Sequence, residues 1–329
     1  ASVDRLTPEG REPTCLGGAW ACPPEDVGGM HGHHEVASGL RAGAPSDEVP
    51  EPYEDPEHAH GWLPVASDPD AFDADETTEA MRVWARGEHL PWHGLPEALA
   101  DLVQSLHSTG WVMASTWLAA LGPHTAVDLD DHDVRRAARP WTAVLDAVGT
   151  GTTLTAAGYL PPALVEQIAQ ATGVTEWWIG KANREDLTWP VADLRAAAEQ
   201  VGLLRKAKGT VTPTARAGAV AGHPRELVTA VLARLPLGRG FEAEAGWFAL
   251  LGLAAGQSGA ALDAGVALML ADRGWRTRAG SGLSAAQAHG GARTTLDALE
   301  SMAGGREDLD QALVIRLARA ALFGVTATA

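Results

Sequence analysis

Cysteine is nearly missing from this 329-residue chain, which has two, so no disulfide framework holds it together. Tyrosine (2) and phenylalanine (4) are also scarce, and basic residues are outnumbered, 25 against 42 acidic ones, for a formal net charge of -17. Runs of about 18 apolar residues, the length that spans a bilayer, do not occur. The most apolar stretch, 241 to 255, is interrupted by Glu242, Glu244, Gly246 and Gly252, so an integral membrane protein is not expected. The first ten residues, ASVDRLTPEG, lack the basic and apolar regions of a secretory leader, and the expected location is the cytoplasm. The phosphate-cradling G-x-x-x-x-G-K-[ST], the nucleophile elbow G-x-S-x-G and the zinc-protease H-E-x-x-H are all missing. What is present is 12 tryptophans and 46% hydrophobic residues, enough for a sizeable core divided among two or three domains.

The acidity is unevenly placed. Residues 1 to 80 hold 3 basic against 18 acidic residues, a net of -15, whereas residues 151 to 234 hold 9 against 7, a net of +2. Like-charge repulsion of a polyanion is therefore local to the first segment, because screening in physiological salt limits its reach to roughly 8 Å.

The pattern predicts a mainly α fold. Residues 1 to 80 are rich in Pro, Gly, Asp and Glu and read as turns and short elements up to a capped helix that starts near Asp73. A helical connector follows over 81–149, with Leu95, Leu99, Leu102, Val103 and Leu106 on one stripe and a later helix, Val134 to Val148, interrupted at Pro140. Gly149 to Thr153 (GTGTT) imitates a glycine-rich loop but lacks its lysine, and reads as a linker. Over 150–236 the order is helix (ALVEQIAQATG), connector with Trp177 and Trp178, helix (WPVADLRAAAEQVG), then a short hairpin whose Lys-Ala-Lys-Gly turn uses Gly209 for a positive φ. Helices followed by a hairpin with a basic tip describe a winged helix. The remaining 237–329 reads as a helical C-terminal subdomain, with stretches at 241–255, 259–272, 294–302 and 309–323.

Two stretches resemble a known family. The first is Cys15-Leu-Gly-Gly-Ala-Trp-Ala-Cys22-Pro-Pro-Glu-Asp-Val-Gly-Gly29, continuing through Asp55-Pro-Glu-His58 and Trp62 to Phe72-Asp73. It resembles the C-terminal portion of the plasmid pRiA4b ORF-3-like family, whose members often accompany IS1096-type mobile elements. The second, TAAGYLPP, KANREDLT, LRAAAEQVGLLRKAKG and TPTARAG, looks like the helical extension of actinobacterial members. The family's Trp-Arg-Arg and Tyr-Asp-x-Gly-Asp signatures have no counterpart here. The resemblance thus implies that residues 1 to 80 are the incomplete remnant of an α+β module, with residues 1 to 70 poorly packed. It brings no enzymatic activity with it.

Candidate sites follow from residue type. Cys15, Cys22, His31 and His33 are thiolate and imidazole donors of the kind that suit zinc, with His34, His58 and His60 nearby. The six-residue gap between the cysteines is unlike a zinc knuckle, so buried thiols and solvated histidines are the alternative, and no cofactor is otherwise expected. Glu25 and Asp26 beside Gly28 and Gly29 form an acid pair without a second catalytic group, and a tight turn explains them equally well. In the winged-helix reading, Arg195 on the third helix and Arg205, Lys206 and Lys208 on the wing, with Arg216, would contact DNA. Against that, the third helix also offers Asp193 and Glu199, which phosphates repel. The functional expectation is a non-catalytic accessory or regulatory protein that contacts DNA, with a protein-interaction scaffold or a structural zinc protein as alternatives.

Overall fold

The computed structural model describes residues 14–18, 29–43, 68–85 and 92–326. It is mainly helical, and the chain divides into two compact units, residues 1–90 and 91–329. Among the described residues of the first unit there are two helices, α1 (Gly29–Arg41) and α2 (Ala74–Ala85), and no strand. Asp73 starts α2 by accepting from the amides of Asp75 (2.8 Å) and Glu76 (2.9 Å), and Asp75 and Glu76 place acid at the positive end of the helix dipole. The amide of buried Cys15 donates to Thr78 of α2 (2.9 Å), and Arg41 at the end of α1 forms a forked pair with Asp70. The expectation that residues 1 to 70 pack poorly lies largely outside the described residues.

The second unit begins with α3 (Glu97–Gln104), α4 (Ser108–Leu121) and α5 (Asp131–Val148). The stripe of Leu99, Leu102 and Val103 is buried, as its spacing predicts. Helix α4, STGWVMASTWLAAL, carries apolar residues on nearly every side and shows no clear period; it packs on the later helix Gly259–Asp272. Helix α5 runs unbroken through Pro140, contrary to the interruption expected there. Proline removes one amide from the ladder, while the Asp130 cap and a long buried face including Ala137, Trp141 and Val144 hold both halves in line.

After α5 come β1 (Thr152–Thr153), α6 (Pro162–Ala171), a 3-10 turn (Val174–Glu176), α7 (Trp189–Gln200), β2 (Leu204–Ala207) and β3 (Thr210–Pro213). The strands form one antiparallel sheet in the order β1-β3-β2, with Lys206 opposite Val211 and Thr152 opposite the same Val211. Lys208 (φ 48°) and Gly209 (φ 74°) make a two-residue tip with both φ positive, which suits the right-handed twist of the flanking strands. The GTGTT segment is therefore not only a linker: its two threonines are an edge strand, too short to show any alternation, and the Leu154 amide extends the pairing to Gly209 (2.8 Å).

Helices α8 (Ala215–Val220), α9 (Pro224–Leu232), α10 (Phe241–Ala254), α11 (Gly259–Asp272), α12 (Ala285–Met302) and α13 (Gln311–Phe323) complete the unit. α10 is central, with Ala245, Phe248, Leu250 and Leu251 buried against α11, α12 and α13. α12 starts nine residues earlier than the apolar spacing predicts, because Ser284 and Gln287 form a reciprocal capping box. One continuous core extends from Leu95 to Leu322. The chain's last described residues return to the segment between α4 and α5: Val325 bridges Val127 in parallel, the Thr326 amide donates to Val127 (2.9 Å), and Arg319 reaches the carbonyls of Leu121 and Pro123.

Candidate functional site

Helix α7 is set by a buried lock on one side. Glu185, whose side chain is inaccessible, accepts from the amide of Leu160 (2.6 Å) and from Nε of Arg195, while Nη1 of Arg195 reaches Glu199 (2.5 Å) one turn along. Arg195 is only 13% exposed through its side chain and its charge is answered by two carboxylates. It is a structural tie in this arrangement, with little of its side chain turned to solvent, where a phosphate contact was expected. Sequence spacing gave no sign of this, because Glu185 lies in the connector, outside any helical register with Arg195.

The opposite face of α7 carries Trp189, Asp193, Ala196 and Gln200, spaced four, three and four apart, and turns toward α12. On α12, His289, Arg293, Asp297 and Glu300 also share one face. Arg293 joins the two helices: it donates to Asp193 (3.0 Å) and Asp297 (3.1 Å), and its guanidinium lies 5.8 Å from the centre of the Trp189 ring. Between the helices is a cleft of about 480 Å³, with Arg306 of the α12–α13 connection at its edge.

A second hollow of about 370 Å³ shares Trp189 and Arg306 with the first, so the two form one groove. Its floor is a tryptophan cluster. Trp177, Trp178 and Trp189 lie 5.5 to 6.0 Å apart between ring centres, mostly edge to face. Arg306 sits over Trp177 at 5.7 Å. Ile179, next in the chain, is 97% exposed.

The carboxylates of the cleft are electrostatically crowded. Burial pushes Asp297 above the usual aspartate range, even though Arg293 draws it down. Burial also raises Glu300, and the neighbouring Asp297 charge adds to that. Conversely, hydrogen bonding to Asp297 holds the Arg293 guanidinium firmly charged.

The expected wing residues are placed together. Arg205, Lys206 and Lys208 are exposed along β2 and at the hairpin tip, with Lys206 near the Gly158 carbonyl (3.5 Å). Arg216 is exposed on α8 and donates to the Ala230 carbonyl (3.1 Å). Of the expected zinc donors, Cys15 is buried, with its sulfur 3.8 Å from the Gly17 carbonyl. Cys22, Glu25, Asp26 and the side chains of His31 and His33 lie outside the described residues. Among the described residues, Asp130, His132 and Asp133 bring three donor atoms within 4.8 Å of one another. Their donors already serve the fold: Asp130 caps α5, and Arg316 pairs with Asp133 at 2.9 Å.

Residues 2–76 match the family model described as plasmid pRiA4b ORF-3-like protein, which takes in the Cys15–Gly29 and Asp55–Asp73 stretches and ends before the segments compared with the actinobacterial extension. No curated protein and no solved structure matches the chain. No described helix is long and apolar enough to cross a membrane.

Proposed function

We propose that residues 150–236, together with the preceding helix α5, form a winged helix turned to protein interaction, in an accessory protein that acts by binding. The order helix, strand, helix, helix, strand, wing, strand over α5 to β3 supports the winged-helix reading, and the sheet order β1-β3-β2 fits it. The observation that carries the interaction reading is the position of α12. The face of α7 that would enter a DNA groove forms one wall of the cleft, tied to α12 through Arg293. A helix needs that face free to reach base edges. Here it presents instead a tryptophan-floored groove with an isoleucine 97% exposed, the kind of anchor on which protein partners seat. Selection from a random peptide display library tests this: binders of the whole protein should lose affinity for Ile179→Ser. A library yielding no peptide that distinguishes the two proteins would remove the reading.

One observation favours DNA contact of a different kind. Arg205 and Lys208 have no ion-pair partner among the described residues, and with Lys206 they form an exposed basic wing. Such a wing would hold backbone phosphate without reading sequence. The expected result is weak duplex binding, indifferent to sequence, that is lost when Arg205, Lys206 and Lys208 are changed together to alanine. Three phosphate contacts correspond to a salt slope of about -2.7 in log K against log salt. Base-specific binding that disappears with Gln200→Ala would show instead that α7 reads a groove.

A further inference from the structure

The groove has a chemical bias beyond being apolar. Three carboxylates, Asp193, Asp297 and Glu300, line the deep cleft, and Arg293 is shared between the first two. Glu300 has no side-chain hydrogen bond or ion pair among the described residues. At the mouth, Arg306 is drawn over Trp177 and Glu307 lies beside it. Two guanidiniums therefore answer four carboxylates, helped by His289, which is itself paired with Asp263, and Glu300 is the cleft acid with no side-chain hydrogen bond or ion pair of its own among the described residues. Burial keeps both Asp297 and Glu300 above their usual range, as it does where a site lacks enough positive charge to offset desolvation. A ligand cation placed against Glu300 would supply that charge. An anionic ligand, nucleic acid included, would be repelled.

The other end of the groove fixes what should accompany the cation. Ile179 stands almost fully in water beside Trp178, and covering it with an apolar side chain removes that area from water. Trp177 and Trp189 already hold guanidiniums of this chain near their faces, so they are walls for the ligand's apolar body more than sites for its charge.

Resting on the interaction reading above, we infer that the groove binds a basic segment of a partner protein, one Lys or Arg entering the cleft against Glu300 while a neighbouring apolar side chain covers Ile179 and Trp178. The partner's chemistry is thus the opposite of this chain's own acidic first 80 residues.

Calorimetric titration of the whole protein tests the inference with two short, capped peptides, one alternating leucine with lysine and the other leucine with glutamate. The leucine–lysine peptide is expected to bind. Glu300→Gln and Ile179→Ser, both checked for an unchanged circular dichroism spectrum, should each weaken it about tenfold. Glu300→Lys should reverse the preference between the two peptides. If the leucine–glutamate peptide binds as tightly and depends on Ile179, the groove is a docking site but its charge preference is overturned. If the lysine peptide binds unaffected by either substitution, or neither peptide binds, the groove is not the docking site, and the interaction reading falls together with the inference.

Discussion

The same kind of residue does opposite work at two places in the second unit. Glu185 is a buried carboxylate satisfied on both sides, by the Leu160 amide and by Arg195. Removing it leaves the buried Leu160 amide without an acceptor and Arg195 with Glu199 alone, so Glu185→Ala should cost about 3 kcal/mol in a denaturant titration, whereas Glu199→Ala, which leaves the Arg195–Glu185 pair intact, should cost less than about 1 kcal/mol. Glu300 is a half-buried carboxylate without a partner. Burial raises its folded-state pKa above the unfolded value, so the folded form holds the proton more tightly. Its stabilising contribution is complete below the ordinary glutamate range and is lost as pH rises through the folded value. Glu300→Gln should therefore melt about a degree higher than the parent at neutral pH, with the advantage gone near pH 3. Neither role was legible in the sequence. Arg195 reads as a candidate phosphate contact because its principal partner is off the helix, and Glu300 draws no attention because its neighbour α7 lies about a hundred residues away. The wing cations were legible, since a Lys-Ala-Lys-Gly tip states its own geometry.

Helices are where the sequence was most readable, for a physical reason: one-sided burial imposes a 3.6-residue period. α3, α6 and α13 show it, and their limits agree with the pattern to within a few residues. Where apolar residues also stand on the exposed face, as Val112, Ala119 and Ala120 do in α4, the period in the sequence vanishes although burial remains one-sided. The packing of α4 depends on small residues in its neighbours. Gly265 of α11 and Gly252 of α10 both face Trp117 of α4, and a Cβ on Gly265 would stand 2.3 Å from that ring. Gly265→Ala must displace the indole, and an overpacking cost of about 1–3 kcal/mol is expected in chemical denaturation. Trp117→Leu in the same background should recover part of it. The short β1 illustrates the other limit: two residues cannot alternate, and only their pairing to β3 identifies them as a strand.

Over the whole molecule, the sequence suggests a helical connector over 81–149, a winged-helix-like domain over 150–236 and, packed on it, a helical subdomain over 237–329. The structure divides the chain at residue 90, and one core runs through everything after it. Residues 91–329 produced alone should accordingly unfold in one calorimetric transition whose van't Hoff and calorimetric enthalpies agree; three resolved transitions would show that its parts melt independently. Composition could not show this, because it reports how much apolar surface exists and not which helices share it. The return of residues 319–326 to the segment between α4 and α5 has a consequence for how the molecule is made. Val127 waits for a partner nearly two hundred residues downstream, so α4 and α5 leave the ribosome long before the strand and the arginine that fasten them. At translation speeds of about 5–20 residues per second that interval is roughly 10–40 seconds, during which α4 and α5 stand without their closing clasp.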